Sequence, residues 1–258
     1  MTPHVLIVAG SDSSGGAGIA RDIETVSAFG LRSCLAITAV TVQTHATVER
    51  IEQMPPELIA AQMRAAFAAN PVAAVKIGML GTAAAIEAVG AVLASNRQVP
   101  AVLDPVLAAT SGRVLLEDDA VDALRRDLMP VCRLVTPNLV ELARLNGSAR
   151  APYEETALLQ GEELARTVKT AVLVKGGHAQ GPLAIDLLLQ PNHPAVRFEA
   201  PRLQRGMRGT GCMLSSAIAS SLALGASLEA SVRSAKQYVF EKLRKTPAGL
   251  AFGSGGAQ

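Results

Sequence analysis

The 258-residue chain has no tryptophan, and five phenylalanines and two tyrosines bring its aromatic content to only 3%. That is too few for the stacking platforms on which single-stranded nucleic acid binds. Charge of one sign is also missing: 24 Lys and Arg stand against 22 Asp and Glu, a formal net charge of +2. Without a basic stripe, no nucleic-acid partner is expected. Cysteine is sparse, and Cys34, Cys132 and Cys212 are odd in number and far apart. They suit neither a disulfide framework nor a metal site, which fits a reducing, cytoplasmic setting. No apolar run reaches membrane-spanning length, because Lys76 and Glu87 interrupt the best candidate, so no membrane partner is expected. The apolar opening Val5-Leu6-Ile7-Val8-Ala9 lacks a basic n-region and runs straight into glycines, unlike a signal peptide.

What is abundant is aliphatic: 49% of the residues are hydrophobic, and Ala, Val, Leu and Ile carry that share. Short continuous aliphatic runs alternate with Ala-rich helical spacing throughout. That pattern predicts an α/β fold with a mostly parallel sheet covered by helices. Strands are expected over 5–9, 34–42, 74–81, 99–103, 133–135 and 171–174, with a hairpin from 183–189 and 195–198. Helices are expected over 19–29, 56–70, 82–95, 118–128, 154–168, 214–224 and 228–244, with another opening at Asn138. No internal repeat or shift in composition marks a second domain, so residues 1–246 read as one domain. The Gly/Ser/Ala-rich tail 247–258 is expected to be disordered.

The stretch that organises the chain is Gly206-Met207-Arg208-Gly209-Thr210-Gly211-Cys212-Met213 and the helix after it. A glycine-rich turn opening into a helix N-terminus presents free amides and partial positive charge to an anion. Cys212 at that end is expected to have a lowered pKa and to serve as base or nucleophile; the plainer alternative is a cap loop with a small buried thiol. Gly10 to Gly18 is a second such turn, between the first strand and helix, with Asp12 crowded between Ser11 and Ser13. It matches neither the dinucleotide nor the P-loop spacing, which opposes an oxidoreductase. Asp22 on the first helix reads as facing that site or supporting the helix end.

Other polar residues gather at the ends of strands, where open α/β sheets bind ligands. They are Gln43, Asp104 and Lys175, the last followed by two glycines that allow close ligand approach. His45 reads as a solvated loop histidine. Lys76 sits inside an apolar strand and needs a partner. Asn138 and Glu141, three apart at a helix start, suit either a capping pair or Mg2+ held through water, and spacing alone favours the cap. Two anion-binding turns, a cation and magnesium-capable oxygens together describe phosphoryl transfer.

The motifs resemble those of the hydroxymethylpyrimidine/phosphomethylpyrimidine kinases of thiamine biosynthesis, in the ribokinase-like superfamily. They are Ala9-Gly10-Ser11-Asp12 with Ser14 to Ile19, Lys76-Ile77-Gly78-Met79-Leu80, Asp104-Pro105-Val106, Thr136-Pro137-Asn138, Lys175-Gly176-Gly177-His178 and Gly209-Thr210-Gly211-Cys212. They run in order over most of the chain. The resemblance implies a single-domain, three-layer sandwich and a homodimer. It implies an ATP-dependent kinase acting on 4-amino-5-hydroxymethyl-2-methylpyrimidine and its monophosphate. By position, Gly10, Asp22, Gln43, Met79 and Val106 would line the pyrimidine pocket, and Gly209, Thr210, Gly211 and Cys212 would form the anion hole with Cys212 as base. Lys175, Asp104, Arg208 and Gly209 would contact ATP or its phosphates, and Asn138 and Glu141 would hold Mg2+. Two positions depart from the pattern: Thr110 replaces a usual Lys, and Met207-Arg208 replaces Thr-His, which bears on the second phosphorylation. A pyridoxal-type kinase is the nearest alternative, and a catalytically weak pyrimidine-binding homologue the next.

Overall fold

The computed structural model describes residues 2–109, 112–117, 119–177, 181–203 and 205–246. Its elements, in order, are β1 (His4–Ala9), α1 (Gly18–Ala28), β2 (Arg32–Ile37), β3 (Ala39–Gln43), β4 (Val48–Gln53), α2 (Pro56–Ala69), β5 (Val72–Ile77), α3 (Ala83–Ala94), β6 (Ala101–Leu103) and α4 (Ala120–Ala123). Then come β7 (Leu134–Val135), α5 (Leu139–Asn146), α6 (Glu154–Val168), β8 (Ala171–Lys175), β9 (Leu183–Leu189), β10 (Val196–Pro201), α7 (Thr210–Ala223) and α8 (Leu228–Lys245). The helix expected over 118–128 is present, with its second half widened: α4 continues into a π-type turn over Leu124–Leu128. Caps set several starts. The Thr82 side chain accepts from the Ala85 amide ahead of α3, and Ser227 accepts from Ala230 ahead of α8, each filling one of the unpaired donors of a helix end.

Eight strands form one sheet in the order β2-β1-β5-β6-β7-β8-β9-β10. The pairs from β2 to β8 are parallel, and β9 and β10 close the edge as an antiparallel hairpin. On one face Val5, Ile7, Val102 and Leu173 pack with Ile19 of α1, Leu214 and Ile218 of α7 and Val232 of α8. On the other, Leu6, Val8, Val75 and Val174 pack with Ile59 of α2, Ile86 of α3, Leu142 of α5 and Leu164 of α6. The result is the expected three-layer α/β sandwich. The order reverses at β1, flanked by β2 and β5, and the cleft at such a reversal is where these folds bind ligands.

Strand parity then decides where the charges go. Successive side chains point to opposite faces, so Lys76 shares the face of Ala74, Asp104 that of Val102, and Lys175 that of Leu173. Ala74, Val102 and Leu173 all belong to the α1–α7–α8 face. Three charged groups from three strands are therefore aimed under the start of α7.

One expected strand is two. After β2 the chain leaves the sheet at Thr38, whose amide donates to the Ala9 carbonyl at 3.0 Å and whose hydroxyl donates to the Met79 carbonyl at 2.6 Å. β3 then pairs antiparallel with β4 as a separate hairpin. Nothing in the pattern of β4 indicated a strand, since only Val48 of its six residues is buried and clean alternation is absent. Thr110, His178 and the tail 247–258 lie outside the described residues.

Candidate active site

The centre of the site is an ion pair made by parity. Lys175 Nζ donates to Asp104 Oδ1 at 2.7 Å and lies 3.9 Å from Glu141 Oε2. The Thr136 hydroxyl, on the neighbouring strand end, reaches the same Asp104 oxygen at 3.3 Å. Asp104 is 2% exposed. Burial works against the Lys175 charge, but the Asp104 and Glu141 carboxylates hold its pKa above the usual value. Glu141 is pushed up to about 7, chiefly by burial and further by Asp104, with Lys175 and the Asn138 amide opposing.

Asn138 and Glu141 form a complete capping box at the start of α5. Asn138 Oδ1 accepts from the Val140 and Glu141 amides at 2.8 and 2.9 Å, and Glu141 Oε2 accepts from the Asn138 amide at 2.7 Å. Spacing favoured this cap, and it is what the chain builds. The expected Mg2+ role for Asn138 meets an obstacle, because both lone pairs of its amide oxygen are filled. Among the described residues no group of three or more His, Cys, Asp or Glu side chains is arranged to hold a metal. The donor set still fits a hard cation carried in with a nucleotide: Glu141 Oε1 and Asp104 Oδ2 are carboxylate oxygens beside a buried cluster short of positive charge.

The two glycine turns interlock above this pair. Gly209, the N-cap of α7, has φ 74°, and a Cβ there would lie 2.5 Å from the Gly16 carbonyl oxygen. A Cβ on Gly211 would lie 3.2 Å from Asp104 Oδ2 and 3.4 Å from Lys175 Nζ. Gly209 needs glycine for its φ, and at Gly211 a side chain would crowd the Asp104 and Lys175 side chains. The first turn of α7, with Thr210 and half-buried Cys212, thus stands directly over the Asp104–Lys175 pair.

The expectation of a lowered Cys212 pKa is overturned. Burial pushes the thiol up to about 11; Lys76 and the Gly18 amide pull it down, and Asp22 and Asp104 push it further up. A helix N-terminus and a nearby cation such as Lys76 favour the thiolate, but here desolvation outweighs them. Asp22 is also corrected. Its side chain is fully buried, with one oxygen taken by Lys76 Nζ at 2.7 Å and the other by the Ser216 hydroxyl at 2.8 Å. It has no accessible atom to offer a pyrimidine and instead supplies the partner that Lys76 required. Burial disfavours the Lys76 charge, and Asp22 holds the ammonium protonated.

On the other side of the cleft, Gly10 and Met79 meet: a Cβ on Gly10 would lie 3.4 Å from the Met79 sulfur. Val106 is half-buried on the loop after β6. Gln43 ends β3, where the Ser13 hydroxyl bonds its backbone carbonyl and amide, each at 2.8 Å. Its Oε1 is 3.3 Å from the Thr41 hydroxyl. Arg208 is committed to protein partners. It donates to the Ser14 hydroxyl at 2.8 Å and the Thr44 carbonyl at 3.2 Å, meets His45 Nδ1 at 3.2 Å, and pairs with Asp12 Oδ2 at 3.2 Å. His45 is an exposed loop residue, as expected, and its ring also meets the Arg208 guanidinium. Asp12, Ser14 and Thr44 were not singled out individually for such roles, because their contacts with Arg208 join segments more than 160 residues apart in sequence.

The family profile described as phosphomethylpyrimidine kinase matches residues 12–257. The chain belongs to the phosphomethylpyrimidine kinase family. It is 45% identical over 240 residues to a hydroxymethylpyrimidine/phosphomethylpyrimidine kinase of Rhizobium meliloti, covering 93% of this chain and 90% of that one. Among solved structures it is similar to a phosphomethylpyrimidine kinase from Clostridium difficile, with 35% identity, a TM-score of 0.80, and 94% and 99% of the two chains covered. It also matches the Staphylococcus aureus pyridoxal kinase in complex with AMP-PCP, at 27% identity and a TM-score of 0.87, covering 98% and 92%. The fold is thus ribokinase-like, and the protein is a kinase.

For a kinase the arrangement has a plain chemical sense. Phosphoryl transfer needs positioning and charge neutralisation more than covalent participation. The first turn of α7 and the Lys175 ammonium lie close together, and free helix-start amides and an ammonium are groups that can offer both. No helix among the described residues is long and apolar enough to cross a membrane.

Proposed function

We propose that the protein transfers the γ-phosphoryl group of MgATP to the hydroxymethyl group of 4-amino-5-hydroxymethyl-2-methylpyrimidine, and then to the resulting monophosphate. The observation that carries this reading is the Lys175–Asp104 pair at 2.7 Å, set beneath the glycine-rich first turn of α7. In this reading the amides of Gly209 to Cys212 receive the charge that develops on the transferred group, and Lys175 contacts its oxygens. Glu141, with Asp104 beside it, would hold the magnesium that accompanies the nucleotide, which would supply positive charge against the phosphates. Asn138 acts by fixing Glu141 through the cap. Gln43 hydrogen-bonds the aminopyrimidine edge, while Met79 and Val106 pack on the ring above Gly10.

Cys212 is the base in this reading and accepts the hydroxyl proton as a thiolate. Since burial pushes its pKa up to about 11, the reactive form is scarce at neutral pH. The reading therefore requires kcat/KM for the acceptor to climb with pH, about tenfold per unit between pH 7 and 9. A flat profile removes Cys212 from the role of base.

A pyridoxal-type activity is the second reading, favoured by the similarity to the Staphylococcus aureus pyridoxal kinase in complex with AMP-PCP. The deciding experiment is ADP release from MgATP with hydroxymethylpyrimidine, its monophosphate and pyridoxal side by side. Turnover with both pyrimidines supports the proposal. Turnover with the alcohol alone limits it to the first step and points to Thr110 and Arg208. Preference for pyridoxal replaces the substrate and keeps the chemistry, and absence of turnover with all three refutes the reading. The homodimer implied by the motifs is checked by light scattering.

A further inference from the structure

Beyond Lys175 come two glycines, Gly176 and Gly177, and their backbone is gripped from two directions. From below, the Gly176 amide donates to Asp186 Oδ1 at 3.0 Å. Asp186 is the cross-strand partner of Lys175, and its second oxygen takes Lys236 Nζ of α8 at 2.6 Å, with both side chains about nine-tenths buried. A Cβ on Gly176 would collide with the Ile185 carbonyl, so only glycine lets the turn sit this low.

From the sheet edge, Arg202 reaches back over the same turn. Its guanidinium donates to the carbonyls of Gly181 at 2.8 Å, Leu183 at 2.7 Å and Gly176 at 3.3 Å, and also to that of Gly177. Its own amide donates to the Pro182 carbonyl at 2.8 Å. Four carbonyls converging on one planar fork use nearly all its donors, which a lysine's single ammonium cannot reproduce. Gly177, by contrast, has nothing within 4 Å of where a Cβ would stand. The turn is fastened on its inner sides and open on one.

We propose that Arg202, with Asp186 and Lys236 beneath, is a positioning residue for the donor nucleotide. It holds the Gly176-Gly177 backbone beyond Lys175 so that the open glycine backbone faces the polyphosphate. This rests on the reading of Lys175 as the phosphate contact. Arg202 itself touches no reacting atom.

The test is steady-state kinetics of Arg202→Ala with MgATP and the pyrimidine alcohol varied in turn, beside Lys175→Met. The expected result is a KM for MgATP raised about tenfold, the loss of one or two charge-assisted bonds' worth of order in the turn. The acceptor KM is expected to stay within about twofold and kcat within about threefold, since the seat lies on the donor side alone. Arg202→Lys keeps the charge without the fork and is expected to show the same split at smaller size; it carries the test if the alanine variant does not fold. Unchanged KM for MgATP in the folded variants, or an equal rise in both KM values, overturns the proposal. If Lys175→Met turns over like wild type, the reading of the donor side falls and this inference with it. A crippled Lys175→Met beside wild-type Arg202 variants sinks the inference alone.

Discussion

On one side of the cleft, Asp104, Lys175 and Lys76 project from strands of the central sheet, and pleat parity sets their direction. On the other, Gln43 rides on the β3–β4 hairpin, which is tied to the body largely by side chains. The Thr41 hydroxyl donates to the Ser11 carbonyl at 2.7 Å, Ser13 grips the Gln43 backbone, Arg208 reaches the Thr44 carbonyl, and Arg113 reaches the Val48 carbonyl at 2.5 Å. The outer residues Val40 and Val42 of this hairpin are about half exposed, at 46% and 51%. A strand in mid-sheet opens only with the global unfolding of the domain, whereas a hairpin held by a few side-chain bonds opens locally. The chemistry is therefore expected to belong to the rigid side and the control of acceptor entry to the hinged side.

The largest effect that would break this comparison lies beneath the rigid side. Lys76→Met leaves Asp22 buried without its cation and is expected to destabilise the fold by about 3–5 kcal/mol in urea unfolding. Adding Asp22→Asn is expected to recover part of that loss. A wild-type midpoint for the single variant would show that the pair does not anchor this face. Next, Lys175→Met is expected to lower kcat about 10²–10³-fold, the range for removing one preorganised charge-stabilising group. A change confined to KM would place Lys175 outside the transition state. Cys212→Ser is expected to lower turnover about 10²-fold or more and to abolish the alkaline climb of kcat/KM; wild-type turnover in that variant removes the thiol from the mechanism.

The smallest effect sharpens the comparison most. Arg208→Ala releases the hairpin clamp and is expected to raise the acceptor KM about five- to tenfold, with kcat and the KM for MgATP near wild type. The side chain is only 9% exposed and committed to Asp12, Ser14, Thr44 and His45. A rise in the KM for MgATP instead would restore the direct phosphate contact expected from its position beside Gly209.

Much of the rigid side was legible in the sequence. The aliphatic runs located β1, β5, β6, β8 and the β9–β10 hairpin, and α6 begins and ends where its amphipathic spacing does. Lys76, as a charge inside an apolar run, announced a buried partner, though not which one. The Asn138/Glu141 spacing announced a cap. The hinged side was not legible. A single β-propensity run spans 34–42, and the break at Thr38 comes from bonds to Ala9 and Met79, which lie in other strands. β4 carries no periodic signal because only one of its residues faces the core.

By itself the sequence determined the layering of the sheet, the strand ends that carry Asp104 and Lys175, and the glycine turn at Gly209. Each of these follows from local rules of periodicity, parity and backbone freedom. Only the tertiary structure decided that Asp22 belongs to Lys76 rather than to a ligand, that Arg208 spans the chain to fasten the hairpin, and that the Cys212 thiol is held up at about 11. These three are outcomes of which distant groups meet and how much water they exclude, and burial and charge pairing depend on neighbours that no local pattern specifies.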